Sequence, residues 1–160
     1  GWEAEGKAVF LHDEKPASLQ YAFSCDGEWR SRQAEVSGWV GDEEIRLTID
    51  RSPSGAWQLN GAEQPVSPDL VDIDLGFTPA TNILAIRRFG LDIGAETQAP
   101  AVYLAFPELR LELLEQVYRR LDSGRYAYSA AGYEDVLNIS PEGVVLTYPG
   151  LWAAIACDPG

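Results

Sequence analysis

The 160-residue sequence contains no methionine, one histidine and two cysteines. With His12 as the sole imidazole, a serine–histidine or cysteine–histidine catalytic centre has nowhere else to form. His12 falls on an expected edge strand, where an exposed or hydrogen-bonded structural role is the plain reading. Cys25 and Cys157 are far apart, without a CxxC pair or zinc spacing. Two free thiols are expected; a disulfide is not implied. The opening Gly1-Trp2-Glu3 is not a natural initiator and reads as trimmed. No leader is visible, so the cytoplasm is the expected location, with the periplasm open if a leader was removed. Lysine and arginine are absent from Ala130 onward, and 12 basic face 25 acidic residues, a net charge of −13. Such a field disfavours nucleic acid and anionic membrane surfaces. No stretch approaches the ~18 apolar residues of a membrane-spanning helix. No GxSxG, HExxH or GxGxxG is present, and no cofactor or metal is expected.

What is abundant is strand pattern. Ile45, Leu47 and Ile49 alternate with Arg46, Thr48 and Asp50, the period of a half-buried strand. Asn60-Gly61 signals a type I′ hairpin between runs at 56–59 and 62–66. Lys7 to His12, Ser18 to Cys25 and Trp29 to Val40 precede this meander. Leu70 to Leu75, Ala101 to Phe106, Arg125 to Ser129, Tyr133 to Ile139 and Val144 to Tyr148 follow it. Thr78-Pro79 can start a short helix through Asn82. The segment 108–121 fits helix and strand templates; two strands broken at Leu114-Glu115 are preferred. One all-β domain over 1–160 is expected.

Two features carry chemistry. In a strand, Asp72 and Asp74 share a face, about 7 Å apart. They could bind a metal, act as an acid/base pair or accept hydrogen bonds from ligand hydroxyls. Equally, they could bond Arg87, Arg88 or backbone amides and hold the fold. Thr78, Thr81 and Asn82 suit a sharp corner just downstream. Adjacent arginines in a strand would face opposite sides, so at most one meets the aspartates. Aromatics are the second feature: five Trp, seven Tyr and five Phe. Tyr126 and Tyr128 share a strand face, and Tyr148 and Trp152 lie near the end. Rings with planar polar groups hold sugars by stacking and hydrogen bonding; they also fill cores. The opening GxxxxGK at Gly1–Lys7 lacks the serine or threonine and the preceding strand of a phosphate loop.

Val71-Asp72-Ile73-Asp74, Thr78-Pro79-Ala80-Thr81-Asn82 and Ile86-Arg87-Arg88-Phe89 together resemble the signature of the Putative glycolipid-binding family, a bacterial family once classed as a domain of unknown function. Cys25 to Arg32, with Trp29, resembles its aspartate–tryptophan–arginine strand, and Gly55-Ala56-Trp57 its hairpin. Phe106-Pro107, Gln116-Val117-Tyr118 and Tyr126-Ala127-Tyr128 resemble later strands. Gly143-Val144-Val145 and Tyr148 to Trp152 resemble the close. A cysteine before the aspartates is replaced in the Ser67-Pro68-Asp69 stretch, Ala85 stands for a proline, and the opening strand is missing.

The resemblance implies a single strongly curved antiparallel sheet rolled into a spiral, similar to bacterial lipoprotein carriers. It implies a non-catalytic binder of a glycolipid or other amphiphile. The expected ligand-binding set is Asp72, Asp74, Thr81, Asn82, Arg87, Arg88, Trp29, Gln116, Tyr118 and Tyr126. A structural or protein-interaction domain and a carboxylate-dependent sugar-processing enzyme are the alternatives. Fold likeness alone does not choose among them.

Overall fold

The computed structural model describes residues 1–155. Among the described residues the chain is all-β except for one short helical segment. Six strands form the first sheet as a continuous antiparallel meander: β1 Trp2–His12, β2 Lys15–Cys25, β3 Ser31–Val40, β4 Glu43–Arg51, β5 Trp57–Leu59 and β6 Ala62–Glu63. The Asn60-Gly61 turn has both φ positive, at 49° and 80°, as the hairpin signal requires. β1 and β2 run longer than their patterns suggest, because Asp13 and Glu14 also take positive φ and make a tight turn without glycine. β1 is an edge strand, as expected.

The second sheet has three strands in the order β10 (Arg110–Leu114), β9 (Ala101–Ala105) and β7 (Asp72–Asp74). The third has six: β8 (Glu96–Gln98), β11 (Gln116–Arg120), β12 (Arg125–Ala130), β13 (Tyr133–Ile139), β14 (Val145–Tyr148) and β15 (Trp152–Ala153). Hydrogen bonding thus groups the strands into three ladders. The break expected at Leu114-Glu115 is present, and there the chain leaves the second sheet for the third. Pairing is antiparallel except between β7 and β9, which run parallel. A parallel pair needs a crossover, and here it carries a helix.

A helix, not a strand, carries Arg87 and Arg88, so the opposite-face geometry considered for a strand does not apply. Pro79–Thr81 makes one 3-10 turn, capped by Thr78 Oγ1 accepting from Ala80 N at 3.3 Å. α1, Asn82–Phe89, follows and ends on Gly90 in the left-handed region. Leu84, Ala85 and Ile86 are all buried, and a helix turning about 100° per residue distributes them between two cores. α1 joins two cores. Leu84 packs with Leu19, Val36, Ile49, Trp57, Ile73 and Val102 against the first sheet. Ala85 and Ile86 pack with Tyr118, Tyr126, Tyr128, Leu137 and Ile139 against the third. Each fully buried Leu or Ile contributes roughly 1.5–3 kcal/mol of hydrophobic stabilisation.

A second local correction concerns Trp29. It lies not in a strand but in a turn, with φ 64°. The Asp26 carboxylate folds this turn by accepting from Glu28 N and Arg30 N, each at 2.9 Å. Cys25 is a free, buried thiol, and burial pushes its pKa up. Cys157 lies outside the described residues.

Candidate functional site

β7 is the hinge of the site because its two faces see different environments. Ile73 is 2% exposed and belongs to the first core, whereas Asp72 and Asp74 face the opposite way. The strand is fastened by side chains where no third ladder reaches it. Ile73 N donates to Ser31 Oγ at 3.0 Å, and Leu75 N to Thr81 Oγ1 at 3.3 Å. Thr81, expected to touch ligand, is buried and serves this fastening.

The two aspartates have different fates. Asp72 is 2% exposed and is gripped by Arg88 from the last turn of α1. Nε of Arg88 donates to Oδ1 at 3.1 Å and Nη2 to Oδ2 at 2.5 Å. Burial raises the Asp72 pKa, and the guanidinium opposes the rise. Asp74 is half-buried and has neither hydrogen bond nor ion pair among the described residues. Burial alone pushes its carboxyl up to about 7.

Several tyrosines feel the charge of this carboxyl. Burial pushes up the phenols of Tyr103, Tyr118, Tyr128 and Tyr148, and the Asp74 charge adds to the rise in each; for Tyr128 the neighbouring Tyr118 contributes before it. Tyr103 comes from β9, directly opposite Asp74 in the parallel ladder. Its ring lies across Gly76; a Cβ there would sit 2.4 Å from the ring, so any other residue would displace the tyrosine. Tyr118 and Tyr128 are opposite neighbours on β11 and β12, with ring centroids 5.1 Å apart. Tyr133 and Tyr148 extend the cluster, 6.3 and 5.8 Å from Tyr128. Two amides orient the rings. Asn82, the first residue of α1, donates from Nδ2 to the Tyr118 hydroxyl at 2.6 Å. The Tyr128 hydroxyl donates to Gln116 Oε1 at 2.9 Å.

Of the expected set, Asp74, Asn82, Gln116 and Tyr118 therefore meet in one place. Asp72 and Arg88 adjoin it as a closed pair. Trp29, Arg87 and Tyr126 gather at a different cleft. Sequence reasoning left Tyr103, Tyr128, Tyr133 and Tyr148 out of the set. The same-face spacing of Tyr126 and Tyr128 was a signal for two tyrosines on one sheet face; nothing local marked Tyr103. His12 corrects its expectation: it is half-buried, edge-on to Phe106 at 4.6 Å, and its Nε2 has no hydrogen bond. Asp13 Oδ2 lies 3.5 Å from that nitrogen. Among the described residues no group of three or more His, Cys, Asp or Glu could hold a metal. Nor is any helix long and apolar enough to cross a membrane.

Comparison with known proteins adds three findings. The family described as Putative glycolipid-binding matches residues 1–154. The crystal structure of a DUF1089 family protein from Pseudomonas aeruginosa, at 1.80 Å resolution, is similar with a TM-score of 0.82 and 28% sequence identity. The match covers 96% of this chain and 91% of that one. No curated protein matches.

Proposed function

The chain belongs to the Putative glycolipid-binding family, and on that premise we propose that it binds the sugar head group of a glycolipid at Asp74 without transforming it. One observation carries the reading: a half-buried carboxylate, unpaired among the described residues, stands opposite Tyr103 in the ladder and within electrostatic reach of Tyr118 and Tyr128. Burying a charge unpaired costs stability. Groups held that way concentrate at functional sites. A carboxylate can accept from two neighbouring sugar hydroxyls, and phenol rings can stack on the apolar sugar face. Asn82 and Gln116 hold the rings in place, so little order is lost on binding. A neutral or zwitterionic head group suits this site, since an anionic one would meet Asp74 and a net charge of −13.

The long meander β1–β6 supports the further reading that the sheets curve around the amphiphile as in lipoprotein carriers. The enzyme reading is weaker. Glycosidases flank the scissile bond with two carboxyls, and Asp72 is committed to Arg88.

The test is a titration of wild-type protein with fluorescent glycolipid, phosphatidylcholine and fatty acid. Saturable binding with glycolipid tightest is the expected result. No saturable binding of any of the three by folded protein would refute the reading and favour a structural role.

A further inference from the structure

A second cleft, away from Asp74, has the opposite electrostatic character. It encloses about 210 Å³ beside the C-terminal end of α1, and Trp29, Arg87, Arg120, Ser123, Tyr126 and Ser140 line it. Among the described residues, no aspartate or glutamate lines it. In a chain with 25 acidic and 12 basic residues, two arginines converging where no carboxylate lines the wall is a departure from the overall field.

Four other arginines spend their charge on carboxylates of the protein. Arg30, Arg88, Arg110 and Arg125 pair with Glu28, Asp72, Glu112 and Asp122. Arg87 pairs with nothing: among the described residues it has no ion pair and no hydrogen bond. It is nonetheless positioned. Its guanidinium lies over the Trp29 ring at 5.0 Å. Trp2 also stacks on the Trp29 ring, with centroids 5.3 Å apart and planes 11° from parallel. The stem of Arg87 runs past Gly143, whose missing Cβ would lie 3.1 Å from Arg87 Cδ. Gly143 also has φ 96°. Trp29 itself holds a left-handed φ, a conformation that costs a bulky residue about 1–3 kcal/mol and clusters at binding sites.

Arg120 is held differently. Its Nη1 donates to Leu91 O at 2.8 Å and its Nε to Asp122 O at 3.2 Å, both neutral carbonyls. The nearby Asp122 carboxylate is occupied by Arg125 Nε at 2.6 Å and Gly124 N at 3.0 Å. Arg120 therefore keeps its charge for the cleft.

We propose that this cleft binds a phosphate ester, with Arg87 and Arg120 as its charged donors and the Ser123 and Ser140 hydroxyls beside them. Guanidinium forks match tetrahedral oxyanions. The volume is below the ~300 Å³ at which drug-sized pockets begin, so it takes one small group rather than a whole ligand. Trp2, 58% exposed, gives whatever is attached to the phosphate an apolar surface beside the cleft. The proposal does not depend on the Asp74 reading, because the two sites share no residue.

The source of the phosphate is either a soluble ester or a lipid head group, and two arms separate them. Glycerol 3-phosphate is titrated calorimetrically, and phosphatidylcholine vesicles with and without phosphatidylglycerol are used in sedimentation. Both are run on wild type, Arg87→Gln and the control Arg46→Gln, an exposed arginine of β4 outside the cleft. Since Arg87 makes no hydrogen bond or ion pair among the described residues, its variant is expected to keep the fold, checked by circular dichroism. The expected result is binding in at least one arm, weakened about tenfold or more by Arg87→Gln and unchanged by Arg46→Gln. Binding of glycerol 3-phosphate identifies a soluble ester as sufficient; binding only to phosphatidylglycerol vesicles identifies the head group. No binding in either arm, or equal losses in the two variants, overturns the proposal. Neither failure touches binding of a neutral glycolipid at Asp74.

Discussion

Arg88 closes on Asp72 with two parallel bonds, 3.1 Å and 2.5 Å, while Asp74, two residues along the same strand face, has none. α1 supplies one arginine to this face, and Asp72 takes it. The strand thereby acquires one carboxylate that fixes the fold and one that is left for something outside it.

Asp72→Asn should destabilise the protein by about 3 kcal/mol, because it leaves the Arg88 charge largely buried without its counter-ion. Urea unfolding followed by tryptophan fluorescence measures this. A loss under about 0.5 kcal/mol, the range of ordinary surface substitutions, would show that the pair does not hold the helix to the strand.

Asp74→Asn should do the reverse. The Asp74 carboxyl titrates near 7 in the folded chain against an ordinary 3.8. A carboxyl raised by folding contributes stability that is complete below about 3.8 and lost as pH rises through about 7. Wild type and Asp74→Asn should therefore be similar at pH 3.5 and diverge up to pH 8, with the variant the more stable. The gap is at most about 4 kcal/mol, three pH units at ~1.36 kcal/mol each. Thermal melts across this range give the curve. A variant less stable at pH 8 would mean that Asp74 has a partner in the folded protein.

Tyr128→Phe should cost about 1–3 kcal/mol, since it strands the buried Gln116 Oε1. Adding Gln116→Leu should recover part of that loss, because both polar partners are then gone. Chemical denaturation of the three variants forms the double-mutant cycle. Additive losses would place Gln116 and Tyr128 outside one network.

Cys25 should resist alkylation in the native state, since burial both raises its thiol pKa and blocks access. Iodoacetamide labelling read by peptide mass spectrometry should modify Cys25 only after urea is added. Rapid native labelling would contradict its burial.

Much of the strand order was legible in the sequence. The alternation in β4 and the Asn60-Gly61 hairpin are local signals, and each is where its residues indicated. The face shared by Asp72 and Asp74 followed from strand geometry. The helix at 82–89 was harder to read because its eight residues give only two turns of periodicity, and two adjacent arginines fit a strand as well. The contrast between the two aspartates was not legible at all. It depends on which arginine the helix turns inward, and on tyrosines from β9, β11, β12 and β14 that meet only in three dimensions. The Arg87 cleft is illegible for the same reason: Trp29, Arg120 and Ser140 come from distant turns and strands.

The most direct test of the account is calorimetric titration of a neutral monoglycosyl lipid in detergent, at pH 8, into wild type and Asp74→Asn. The account predicts saturable binding by wild type and at least about tenfold weaker binding by the variant, even though that variant is the more stable protein. Equal affinity in the two, or no binding by folded wild type, would contradict the assignment of Asp74 as the sugar-binding carboxylate.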